Sequence, residues 1–142
     1  LMAYGLIAGP RVDPAVMGRT LDAVRRHWDL RQTWGWDYPM MAMTAARLGR
    51  PDEAVGWLFQ EAGNNRWGAT GMTPRFDVEV TADPGRAGVG THRLADTYFP
   101  SNGSLLMAVG LMAGGWDGST GPAPGFPKRG WRVRVEGITP AP

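Results

Sequence analysis

Apolar and polar positions along the chain follow two periods, and the helical one dominates. Val16, Met17, Leu21, Val24 and Trp28 recur near helical spacing, while Arg19, Asp22, Arg25 and Arg26 fall largely on the other side. Asp13-Pro14 supplies an N-cap and a proline at the first helical position, so an amphipathic helix is predicted over 14–28. A second helix is predicted over 37–48, where Met40, Met41, Ala42, Met43, Ala45 and Ala46 leave hardly any polar face before Arg47. Gly49 ends it. Pro51-Asp52-Glu53 then opens a third helix to about Ala62, with its acids at the positive end of the dipole, giving an antiparallel pair with a very short turn. A fourth helix, 103–113, takes Ser101 or Asn102 as its cap. Leu105, Leu106, Met107, Val109, Leu111 and Met112 cover nearly its whole circumference, which predicts burial like that of the second.

The two-residue period occurs twice. Phe76-Asp77-Val78-Glu79-Val80 reads as a strand within the long loop 63–100, and Trp131-Arg132-Val133-Arg134-Val135-Glu136 reads as a strand or extended arm outside the helices. The prediction is a mainly α fold of helical hairpins, 1–118, with a long loop, followed by a short β-like C-terminal arm, 119–142.

Composition changes this picture little. A length of 142 residues with 43% hydrophobic and 20% charged content fits one globular domain, and 21 glycines and 12 prolines serve as turns and caps between periodic stretches. The net charge of +2 is spread without a Lys/Arg block, which argues against a nucleic-acid partner. Without cysteine there are no disulfides or thiolate sites, and His27 and His92 do not share a ligand spacing, so neither a metal nor another cofactor is called for. No apolar stretch reaches the roughly 18–20 residues of a membrane span. Cytosolic, secreted and periplasmic locations all stay open. The apolar opening Leu1 to Ala8 suggests a piece of a longer chain, with part of its apolar surface meant for upstream segments.

Chemistry concentrates in Trp34-Gly35-Trp36-Asp37 at the entrance of the second helix. Indole faces stack on the apolar faces of pyranose rings, and a carboxylate accepts hydroxyl hydrogen bonds or transfers a proton in a partly dry pocket. The competing assignment is an Asp N-cap flanked by core tryptophans.

The order of segments resembles the C-terminal part of bacterial six-hairpin, (α/α)6-barrel glycoside hydrolases of the family 65-like group. Four blocks carry the resemblance: Thr33 to Pro51; Asn65 with Trp67; Tyr98-Phe-Pro-Ser-Asn-Gly-Ser-Leu-Leu106; and Gly115-Trp-Asp-Gly118 with Pro124-Gly-Phe-Pro127 and Trp131 to Gly137. It implies part of a helical toroid whose loops form a carbohydrate cleft, with an oligosaccharide or glycoside as partner and the rest of the machinery upstream in the same chain. The sequence departs from that pattern at Gly71-Met72-Thr73, where the family carries Gly-His-Asn. Pro100-Ser101-Asn102-Gly103 also offers no carboxylate for a catalytic base.

Glycosidic hydrolysis uses two carboxyl groups, one protonated and one ionised. Asp37 is the catalytic candidate, since flanking indoles would desolvate it. Trp34, Trp36, Asn65, Trp67 and Asn102 are the substrate-binding candidates, the amides offering both donor and acceptor to vicinal hydroxyls. Asp96 and Glu61 are weaker candidates. Trp116-Asp117-Gly118 reads as a tight turn, and the methionines as core filling. Two other functions compete with a glycosidase: a non-catalytic sugar binder, and a helical-repeat interaction module suggested by the hairpin Ala45 to Leu58. That hairpin does not recur at the spacing of about 34 residues which a repeat protein requires.

Overall fold

A computed structural model describes residues 1–78 and 90–142 of the chain. It is mainly helical. Among the described residues, five α-helices, α1 (Met2–Gly5), α2 (Pro14–His27), α3 (Asp37–Arg47), α4 (Pro51–Leu58) and α5 (Phe99–Gly114), accompany a two-stranded sheet of β1 (Arg75–Val78) and β2 (Gly90–Ala95).

The centre of the molecule is α3. Every residue from Tyr38 to Ala46 is buried, as its uniformly apolar sequence predicts. It packs chiefly on α4 and α5, and α1 covers it from another side. Its turn into α4 is tight because Gly49 takes a positive φ of 71°, the left-handed conformation that ends helices without a Cβ penalty.

The Asp13 carboxylate caps α2, accepting from the Ala15 amide at 2.7 Å, with Pro14 in the first turn. Met17, Leu21 and Val24 face inward, whereas Val16 and Trp28 stay about half exposed. The predicted apolar stripe is therefore narrower than the sequence suggested. Trp28 is the C-cap: its amide still donates to the Val24 carbonyl, and its ψ of 139° turns the chain that follows away from the axis. An ionic cluster ties α2 to the α3–α4 hairpin: Arg50 Nη1 donates to Asp22 at 2.6 Å and to Glu53 at 3.3 Å, and Arg25 reaches Glu53 at 2.9 Å while lying over the Trp57 ring.

Several boundaries differ from prediction. Helix α4 stops at Leu58, short of Ala62, and Gly63–Asn65 forms a 3-10 turn instead. Helix α5 begins at Phe99, earlier than predicted, with Pro100 in its first turn. Ser101 and Asn102 are thus inside the helix, and its N-cap is Tyr98, which makes no side-chain cap bond. Nor is α5 wholly buried: Leu106 is 74% exposed, and Phe99, Met107 and Val109 are also exposed.

The predicted strand near Phe76 is β1, and its partner β2 arises from the stretch read as loop. The two pair antiparallel with two register irregularities. The last two residues of the predicted strand, Glu79 and Val80, lie outside the described residues.

The C-terminal arm carries no strand over Trp131 to Glu136, which form no ladder with any strand among the described residues. Its end returns to the helices through the bridge of Trp116 with Ala141, closed by bonds of 2.9 Å from the Asp117 and Ala141 amides, and through Arg47 Nη2, which donates to the Pro142 oxygen at 2.9 Å. Ala123 and Phe126 join the same apolar core as α3. Gly125 passes so close to α5 that a Cβ there would sit 2.5 Å from Met112 Cα.

Candidate functional site

The segment between α2 and α3 is short and tightly held. Asp29 accepts four hydrogen bonds, from the Arg31 amide, Arg31 Nε and Nη2, and Gln32 Nε2, at 2.8–3.1 Å. Those bonds, led by the Arg31 guanidinium, hold its carboxyl down at about 2. The Tyr38 hydroxyl, inside α3, donates to the Leu30 carbonyl, and Asn64 Nδ2 donates to the Thr33 carbonyl at 3.2 Å. Gly35 follows, and only glycine fits: an added Cβ would collide with Ser101 Oγ and the Asn64 carbonyl oxygen.

This bracing presents Trp34 outward. The indole is 44% exposed, with the Arg75 guanidinium 4.1 Å from its centroid and the Tyr98 ring 5.4 Å away at 48°. Asp37 opens α3, and its Oδ2 accepts the Trp34 amide at 3.1 Å. Its carboxyl is pushed above the usual range by burial, an effect only partly offset by that amide bond. The other oxygen, Oδ1, makes no hydrogen bond to the described residues. Trp28, Asp29, Gln32, Thr33, Trp34 and Asp37 line one shallow opening of about 450 Å³.

The structure thus joins two of the sequence candidates, Trp34 and Asp37, and separates the rest. Trp36 is half-buried and packs against the core behind the opening. It is also the N-cap of α3, so Asp37 is not a cap but a first-turn residue reaching back to Trp34. Asn65 is buried, its amide bridging the Leu58 and Gln60 carbonyls at 3.2 and 2.9 Å, where it ties down the end of α4. Asn102 Nδ2 donates to the Gly71 carbonyl at 2.6 Å. Neither Asn65, Asn102 nor the half-buried Trp67 lines the opening, and the same holds for Glu61 and Asp96.

Sequence reasoning missed six residues. Trp28, Asp29, Gln32 and Thr33 belong to the lining, and Trp28 was hidden by its fit to the helical period. Arg75 and Tyr98 flank Trp34 through contacts more than 40 residues apart in sequence, for which local pattern gives no signal. Among the described residues no group of three His, Cys, Asp or Glu side chains could hold a metal ion. No described helix is long and apolar enough to cross a membrane. Compared with protein-family models, curated proteins and solved structures, the chain finds no match in any of the three.

Proposed function

We propose that the opening between α2 and α3 is part of the carbohydrate cleft of a glycoside hydrolase built on an (α/α)6 toroid. In this reading α3 is one of its inner helices. Trp34 offers the exposed part of its indole to a pyranose ring, and Asp37 accepts a hydroxyl hydrogen bond or exchanges a proton with the glycosidic oxygen. The observation that carries the reading is the pairing of a fixed, half-exposed indole with a carboxylate that has one oxygen anchored and the other unengaged, both on one opening.

The state of Asp37 supports it. Burial favours the protonated carboxyl, the form that assists a leaving oxygen. Asp29 is already saturated by Arg31 and Gln32, so it shapes the turn and leaves proton exchange to Asp37. The second carboxyl group of the reaction then comes from a segment other than this turn.

The control for recognition is Trp131, which is 43% exposed and therefore nearly matches Trp34 at 44%. Calorimetric titration with sugars selected on a glycan array should show Trp34→Ala weakening binding by about tenfold or more, roughly 1.4 kcal/mol. Trp131→Ala should leave it within twofold. Equal losses would make the effect one of packing, and the cleft assignment would fall. Turnover of p-nitrophenyl glycosides separates an enzyme from a sugar binder: Asp37→Asn should abolish any hydrolysis, whereas near-normal rates would remove Asp37 from the chemistry.

A further inference from the structure

The proposed cleft uses one indole, yet the opening has two. Trp28 lines it together with Trp34 and is 52% exposed, although its spacing places it on the apolar side of α2. Trp28 is the C-cap of α2: its amide still donates to the Val24 carbonyl at 3.0 Å, while its ψ of 139° turns the following residues away from the axis, so the indole stands at the helix end, half exposed, whereas Leu21 and Val24 are buried.

The five residues between the indoles form a braced spacer. Asp29 is locked by Arg31 and Gln32, and Thr33 Oγ1 donates to the Asp29 carbonyl at 3.4 Å. Leu30 is held by the Tyr38 hydroxyl and Thr33 by Asn64. Two aromatic faces on a rigid frame can engage neighbouring rings of one ligand with little further loss of conformational freedom. Gln32 and Asp37 add polar groups to the same wall.

Resting on the reading of this opening as a sugar cleft, we propose that Trp28 is a second stacking platform. The ligand is then an oligosaccharide of at least two pyranose rings, one against Trp34 and the next against Trp28.

The test is calorimetric titration of the full chain with glucose, maltose and maltotriose, then with cellobiose and cellotriose, and with xylose and xylobiose. In the series that binds, the disaccharide should bind about tenfold more tightly than its monosaccharide. Trp28→Ala should remove that gain and leave monosaccharide affinity within twofold, whereas Trp34→Ala should weaken both. Trp28→Tyr keeps an aromatic face and should retain most of the gain, which separates a lost platform from a damaged fold. Equal affinity for one and two rings, or a Trp28→Ala variant that keeps the full gain, overturns the second platform while the sugar cleft stands. Binding of none of these sugars, nor of any saccharide on a glycan array, overturns the cleft and the platform together.

Discussion

Helices α3 and α5 both carry long apolar runs, α5 the more apolar of the two, and they are unlike in circumstance. In α3 every position from Tyr38 to Ala46 is out of solvent, because α1, α4 and α5 surround it. Helix α5 has no charged residue between Phe99 and Gly114, yet among its residues only Ser101, Ala108, Leu111, Met112 and Ala113 are buried. Leu106 and Met107 stand in solvent, and no side chain or backbone lies within 4 Å of where a Cβ would stand at Gly103 or Gly110 on the same side. A helical apolar run therefore reports a capacity for burial, while the number of neighbours decides how much of it is used.

The largest expected effect tests the enclosed member of the pair. Ala45 is fully buried in α3, and Ala45→Glu would bring a carboxylate into a packed interior without a partner. Losses above about 4 kcal/mol are expected, enough to abolish the cooperative transition in urea. Met41→Ala, at a site 1% exposed, should cost about 2–5 kcal/mol through lost contacts and the cavity left behind. A cost below about 1 kcal/mol for Met41→Ala would mean that α3 is not enclosed on all sides.

The contrast also marks where sequence reasoning succeeds. Short-range determinants were legible: the Asp13-Pro14 start of α2, the Gly49 turn and the Pro51 start of α4 each follow from one or two residues. What was not legible depends on distant segments. Whether α5 is covered, whether Trp131 to Glu136 finds a strand partner, and whether Arg75 and Tyr98 reach Trp34 are set by tertiary arrangement. Asp37 shows both sides, since its place at the entrance of α3 was read correctly. Its bond to the Trp34 amide instead of a cap was not, because cap and first-turn positions differ by one residue.

The entrances of the two helices differ as well: α3 starts with a half-buried carboxylate, and α5 has no acidic residue in its first turn. This makes the α3 entrance sensitive to pH. The folded carboxyl of Asp37 titrates above its ordinary value of 3.8, so the native state holds more protons and stability falls as pH rises through that window. Asp37→Asn removes this loss, so the variant should gain relative to wild type from about pH 3 upward. Asp29, held at about 2, behaves oppositely: its contribution is present above 3.8 and fades as pH falls toward 2. Asp29→Asn should therefore lose ground relative to wild type as pH rises from about 2 to 3.8. Its side chain is 34% exposed, which limits the effect to below about 1 kcal/mol. Urea midpoints between pH 2 and 7 should give difference curves of opposite slope, and parallel curves would show that the two carboxylates share one environment.

The smallest expected effect bears on the open side of α5. Leu106→Glu replaces a side chain that is 74% exposed, and it should change stability by no more than about 0.5 kcal/mol in either direction. A charge there also interrupts the row formed by Phe99, Leu106 and Met107, so self-association at high concentration should decrease. A charge placed in the buried run of α3 would be among the most damaging, although both helices are rich in methionine and alanine. Sedimentation and urea unfolding of Leu106→Glu therefore measure the solvent side directly. A loss above about 2 kcal/mol would show that this side of α5 is covered in solution, and the difference between the helices would then shrink to the identity of the segment that covers each.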